Sequence, residues 1–167
     1  MNIVLCGMMG CGKTTVAAEL GKSGYSVVDT DAVIVERYGE INKIFDNRGE
    51  EYFRDIESLV TAQVAKNYGN AVISLGGGCV LRAQNVKNLK DSGKIFYLRA
   101  SAQTIIGRLE GDTARPLLRG GLEERVTGLL KARASVYEDA ADFIVDTDGK
   151  TPEQIAREIV RLTEGGK

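Results

Sequence analysis

Apolar residues recur along this chain in two alternating rhythms. Short unbroken runs are separated by longer stretches in which apolar positions fall three and four apart. The first rhythm marks buried strands and the second marks helices that turn one face inward. Ile3-Val4-Leu5-Cys6 reads as a strand, followed by a glycine-rich turn. From Lys13 to about Ser23 the spacing predicts a helix with Val16, Ala17 and Leu20 on one face. Ser26-Val27-Val28 is a second strand. Residues 32 to 67 read as helix in more than one piece, broken near Asn47-Arg48-Gly49, with Phe53, Ile56, Val60 and Val64 in helical register. Ala71-Val72-Ile73-Ser74 is a third strand, and a helix is expected over about 82 to 91. Lys94-Ile95-Phe96-Tyr97-Leu98 is a fourth strand, with a helix from Ser101 to about Leu109. Residues 110 to 121 carry Gly111, Pro116, Gly120 and Gly121 and read as a loop, short enough to be a mobile lid. A helix over about 122 to 138 leads to a fifth strand, Phe143-Ile144-Val145. Pro152 sits where the first turn of a final helix should begin.

Alternating strands and helices, with strands apolar throughout, imply a parallel sheet covered on both faces. The expected fold is α/β, a three-layer α/β/α sandwich around a five-stranded parallel sheet. No repeat, low-complexity tract or interdomain linker interrupts it, so residues 1–167 are read as one domain. A chain of 167 residues also suits one domain and needs no disulfide or metal staple to bury a core.

Composition removes several function classes. Lys plus Arg is 22 against 23 for Asp plus Glu, a net charge of −1, which argues against a dedicated nucleic-acid binder. There is no histidine, so imidazole relays, imidazole general bases and His-ligated metals are excluded. Cys6, Cys11 and Cys79 are odd in number and form no CxxC pair, which suits free thiols in a reducing compartment. No apolar run approaches the roughly 20 residues needed to span a bilayer. Met1 leads straight into a strand with no basic leader. The expectation is a soluble, cytoplasmic monomer without membrane or nucleic-acid partners.

The turn after the first strand changes the picture. Gly7-Met8-Met9-Gly10-Cys11-Gly12-Lys13-Thr14 fits G-x-x-x-x-G-K-[ST], the phosphate loop of nucleotide-binding proteins. Gly7, Gly10 and Gly12 let the backbone wrap inward and aim amides at phosphate oxygens. The positive end of the following helix adds to that attraction. Lys13 can reach the β- and γ-phosphates, and the Thr14 hydroxyl can ligate a magnesium ion. A predicted strand precedes the turn and a predicted helix follows it, as this chemistry requires. Cys11 lies at a helix start, where a thiol pKa tends to fall. It is either a candidate redox or covalent-inhibition site or a small residue tolerated in the loop.

In an open α/β sheet, ligands bind beyond the carboxyl ends of the strands. The second strand ends in Asp29-Thr30-Asp31, two carboxylates that can point the same way from an extended segment. One suits a water-bridged magnesium and the other can orient or deprotonate an attacking hydroxyl. The alternative is a pair of capping aspartates, with Asp31 capping the next helix. The third strand runs into Gly76-Gly77-Gly78, which lets a ligand approach the backbone closely. Ser74, just before them, stands where an acidic residue often holds the metal, a task Asp29 can take. Arg54, with Glu57 one turn later to hold it, Arg115 in the suspected lid, and Arg133 four residues before Tyr137 offer planar forks for an anionic acceptor.

Taken together, the chain resembles the shikimate kinase family, compact P-loop kinases of the nucleoside monophosphate kinase-like group. The resemblance spans essentially the whole chain. It rests on Gly7 to Thr14, Asp29-Thr30-Asp31, Gly49-Glu50-Glu51-Tyr52-Phe53-Arg54-Asp55-Ile56-Glu57, Ser74-Leu75-Gly76-Gly77-Gly78, Arg115-Pro116-Leu117-Leu118, and Arg133 with Tyr137. It implies a P-loop NTPase-type fold and transfer of the γ-phosphoryl group of ATP to the 3-hydroxyl of shikimate, within aromatic amino-acid biosynthesis. It implies that Asp31 orients the attacking hydroxyl, and that Arg54 and Arg133 grip the shikimate carboxylate beside Gly76, Gly77 and Gly78. The acceptor segment would be about 31–60. Lys13 and Arg115 would meet the transferring phosphate, and Thr14 and Asp29 would hold Mg2+. Gly7, Gly10, Cys11, Gly12, Lys13, Thr14 and Thr15 would cradle ATP, with Arg108 and Pro152 sandwiching adenine. Family members commonly place an arginine shortly before that proline; Lys150 stands there instead and cannot stack as a planar fork. Two other readings stay open: a related kinase for gluconate or a nucleoside monophosphate, and an inactive homologue that only binds ligands.

Overall fold

The computed structural model describes residues 1–111 and 121–165. Its centre is β1 (Asn2–Cys6), every residue of which is buried. β3 (Ala71–Ser74) pairs parallel to β1 on one side and β4 (Gly93–Arg99) pairs parallel on the other. β2 (Ser26–Asp29) and β5 (Phe143–Asp146) complete a five-stranded parallel sheet in the order β2-β3-β1-β4-β5. A parallel strand buried on both faces needs helices on both sides. Helix α1 (Lys13–Lys22) packs with α8 (Pro152–Glu164), while α4 (Glu50–Asn67) packs with α5 (Ala83–Ser92), giving the expected three layers.

The chain leaves β1 toward β2 on one side and leaves β3 and β4 toward the other. The carboxyl end of β1 therefore lies where the winding reverses, which is where open α/β sheets bind ligands. The phosphate loop is at that end.

The long helical stretch divides at two glycines rather than one. α2 (Thr30–Tyr38) ends at Gly39, α3 (Ile41–Arg48) ends at Gly49, and α4 follows at once. Both glycines have left-handed φ, 90° and 84°, which ends a helix without the strain a Cβ would add. The break at Gly49 is the one expected from the sequence; the break at Gly39 is additional. It lets α3 lie as a separate piece against α4, with Phe45 and Phe53 rings 4.6 Å apart.

Caps set the other boundaries. Ser101 accepts from the Thr104 amide to start α6 (Ala102–Glu110). Thr151 and Gln154 form a reciprocal capping box at α8, with Pro152 at its first turn as expected. α7 (Leu122–Ala140) is anchored by Tyr137, which is fully buried and stacks on Tyr97 with centroids 5.0 Å apart. The three cysteines are buried and unpaired; burial pushes the Cys6 thiol up and the Cys79 thiol up to about 12. Among the described residues no helix is long and apolar enough to cross a membrane.

Candidate active site

A cleft of about 910 Å³ opens at the carboxyl edge of the sheet. One side is the phosphate loop. Gly7, Gly10 and Gly12 all have positive φ, so the loop takes a path that side chains would resist. Gly10, Gly12, Lys13, Thr14 and Thr15 line the cleft. Gly7 and Cys11 are buried behind it, and a Cβ on Gly7 would come within 2.9 Å of the Cys11 Sγ. Cys11 is 0% exposed, which favours its reading as a small residue packed under the loop. The Lys13 ammonium donates to the Gly7 carbonyl at 2.7 Å and the Met8 carbonyl at 3.0 Å. It is held over the loop where a phosphate would sit. Arg108, from α6, donates to the Gly10 carbonyl at 3.2 Å and lines the same side.

The opposite side is built from three segments. At the end of β2, Asp29 accepts from the Ala32 amide at 3.1 Å and is the N-cap of α2. The capping role considered for Asp31 therefore falls to Asp29. Asp31 lies in the first turn of α2, with its carboxylate against Gly76. A Cβ on Gly76 would sit 2.6 Å from Asp31 Oδ1 and 3.0 Å from Glu57 Oε1. Only glycine leaves room for both carboxylates. Thr30, between the two aspartates, is fully buried. Its hydroxyl donates to the Ser74 carbonyl and accepts from the Gly76 amide, tying β2 to the glycine turn.

Arg54 projects from α4 across this turn. Its guanidinium meets Glu57 at 2.7 Å and Glu50 at 3.4 Å, as the helical spacing predicts, and it packs so closely on Gly78 that any side chain there would overlap it. Glu57 is almost wholly buried. Burial raises its carboxyl above the usual range; Arg54 opposes this, while the nearby Asp31 charge adds to it. Arg54 is pulled down by burial but held above its ordinary value by Glu57 and Glu50. Arg133, on α7, lines the cleft with Arg54, Asp31 and the Gly76-Gly77-Gly78 turn. Among the described residues four cations and three carboxylates line the cleft, so the near-zero net charge of the chain conceals a concentration of charge there. Ile41, Phe45, Phe53 and Leu129 add an apolar wall. Such a site suits anionic ligands that also carry an apolar face.

A sequence model described as shikimate kinase matches residues 9–164. The chain belongs to the shikimate kinase family. A shikimate kinase of Thermodesulfovibrio yellowstonii is 47% identical over 98% of this chain and 95% of its own length. A shikimate kinase of Acinetobacter baumannii, solved in complex with shikimate, superposes with a TM-score of 0.91 at 32% identity, covering 99% of this chain and 94% of that one. The shikimate kinase of Aquifex aeolicus superposes with a TM-score of 0.84, also at 32% identity, over 99% and 98% of the two chains. The three-layer P-loop kinase fold expected from the sequence is the fold of these relatives.

Against the residues that shikimate kinase resemblance implied, the cleft gathers Lys13, Thr14, Asp29, Asp31, Arg54, Gly76, Gly77, Gly78, Arg108 and Arg133. Lys150 and Pro152 do not line it. Lys150 instead donates to Glu158 at 2.7 Å, so its charge is held against α8. Arg115, and the segment 110 to 121 apart from its ends, lie outside the described residues. The sequence reading passed over Thr30 and the apolar wall from α3. Thr30 stood between two conspicuous carboxylates, and its signal was position alone. Ile41, Ile44 and Phe45 did carry a signal, an apolar triplet at helical spacing after Gly39.

Proposed function

We propose that this cleft transfers the γ-phosphoryl group of ATP to the 3-hydroxyl of shikimate, giving shikimate 3-phosphate and ADP. The observation that carries this reading is one cleft lined both by Lys13 of the phosphate loop and by the Asp31, Arg54 and Arg133 group. Donor and acceptor sites face each other across it, which is what in-line transfer requires.

The chain's own groups divide the work. The loop amides and Lys13 hold the β- and γ-phosphates, and Lys13 exchanges its two carbonyl partners for phosphate oxygens. Arg54 and Arg133 grip the acceptor carboxylate through charge-assisted forks. Glu57 fixes the Arg54 guanidinium at the edge of the cleft. Asp31 accepts a hydrogen bond from the attacking hydroxyl, orients it, and takes its proton as the phosphoryl group moves. The apolar wall packs on the ring and excludes water.

Magnesium fits the donor set. Thr14 and Asp29 are hard oxygen donors on one edge of the cleft, and Asp29 has one carboxylate oxygen beyond its cap bond. Among the described residues no group of three or more acidic or cysteine side chains forms a dedicated metal cage. A magnesium ion held by Thr14 and Asp29 would supply charge neutralisation at the β- and γ-phosphates. The expected setting is a monomer in the cytoplasm.

A carboxylate-gripping pair of arginines favours shikimate over a nucleoside monophosphate acceptor. Phosphorus–proton NMR of the product tests the reading. Coupling of the new phosphorus to the proton on C3 is expected, and coupling to another ring proton contradicts it.

A further inference from the structure

Tyr137 is fully buried, and its hydroxyl donates to the Gly77 carbonyl at 2.6 Å. A buried tyrosine normally finds some partner, so a satisfied hydroxyl is ordinary by itself. The identity of the partners is what matters here. Gly77 is the middle of the glycine turn. On one side Gly76 is pinned by Thr30 and faces Asp31, and on the other Gly78 carries the Arg54 guanidinium. Arg133 lies one helical turn earlier on α7, its charge acts on the phenol, and it lines the cleft with Gly77. One hydroxyl thus ties the glycine turn to the stretch of α7 that carries Arg133.

We infer that the Tyr137 hydroxyl is a positioning group for the acceptor site, holding Gly77 and Arg133 in register with each other. This rests on the reading that both face shikimate. Three successive glycines have wide conformational freedom, and a turn made of them keeps one shape only when its peptide groups are held from outside. The bond to the Gly77 carbonyl fixes the peptide plane between Gly77 and Gly78. The Arg133 charge beside the phenol makes its hydroxyl a stronger donor to the Gly77 carbonyl. The ring is held independently. It stacks on Tyr97 at an interplanar angle of 26°, and Tyr97 pairs in register with Cys6, the residue before the phosphate loop. Removing the hydroxyl therefore leaves the ring, the stack and the nucleotide side in place.

Tyr137→Phe isolates the hydroxyl. Titration calorimetry and steady-state kinetics on the full-length protein should show the shikimate Kd and KM rising about fivefold, as expected for one net hydrogen bond. The KM for ATP should stay within about twofold, because the ring still packs as before. In an Arg133→Lys background the same substitution should cost clearly less, since the two residues act through one contact. Unchanged shikimate affinity, equal shifts in both KM values, additive effects in the double variant, or a Tyr137→Phe protein that does not fold would each overturn the inference. Failure of the unsubstituted protein to bind shikimate would overturn the acceptor assignment and this inference with it, and is told apart because the unsubstituted protein alone shows it.

Discussion

The Arg54 guanidinium and the Glu57 carboxylate, one turn apart on α4, meet at 2.7 Å with the Glu57 side chain only 1% exposed. Neither group can turn away without leaving a buried charge unpaired, so the pair acts as one rigid fork at the edge of the cleft. Glu57→Gln keeps the shape and removes the charge. The shikimate KM should rise about tenfold, the scale of one charge-assisted hydrogen bond. Burial holds the Glu57 carboxyl above the ordinary range, so on acidification it is protonated before ordinary carboxylates and lets go of Arg54. The shikimate KM of the unsubstituted protein should therefore climb on the acid side. A Glu57→Gln profile that climbs as steeply would show that another group titrates.

The glycine turn is a matter of space. Alanine at position 76 would push into Asp31 Oδ1, and alanine at 78 would displace Arg54. Gly78→Ala should raise the shikimate KM by an order of magnitude or more, on the scale of a misplaced binding group. The KM for ATP should move little, because the phosphate loop is untouched. Steady-state kinetics with each substrate varied in turn reads this split, and equal effects would contradict it.

Lys13→Ala removes the cation from the phosphate loop. Its hydrogen bonds are all to the loop itself, the Gly7 and Met8 carbonyls and the Cys11 sulfur, so the folded state should survive with a small fall in Tm. Turnover should drop at least about a hundredfold, the usual scale for losing one preorganised electrostatic contact in a transition state. Near-normal kcat would remove the phosphate loop from the mechanism.

Acid stability should depend on the far side of the sheet. Arg99 on β4 forks onto Asp146 of β5 at 2.6 and 3.0 Å, and its side chain holds the Asp146 carboxyl below the usual range. Asp148 accepts from the Ser101 amide, and that bond lowers its carboxyl in the same way. Stability from a lowered carboxyl is complete above its unfolded value, about pH 4, and is lost as pH falls through its folded value. Urea midpoints for Asp146→Asn and the parent should therefore converge as the pH falls below about 4. Parallel curves would show that the pair contributes nothing there.

The fold was legible because each element carried its own period. β1 and β4 read as unbroken apolar runs since both faces are buried, and α8 announced its start with Pro152, where the structure adds the Thr151–Gln154 capping box. The phosphate loop was legible because its chemistry needs glycines and a lysine at fixed spacing. The second break at Gly39 was harder to see, because α2 and α3 keep compatible apolar spacing across it and only one residue marks the turn. What the sequence could not show was convergence. Arg54 and Arg133 lie on separate helices, and the Tyr137 hydroxyl reaches a carbonyl 60 residues away. Lys150, which the resemblance set near the nucleotide, donates to Glu158, a contact eight residues away that its position before Pro152 did not announce.

The most direct test of the whole account is ADP release by the purified protein with magnesium and ATP, offered shikimate, gluconate and a nucleoside monophosphate in parallel. A cleft that grips a carboxylate with Arg54 and Arg133 and aims a hydroxyl with Asp31 predicts release well above background with shikimate alone. Release that is equal for all three acceptors, faster with either of the others, or absent throughout would contradict it.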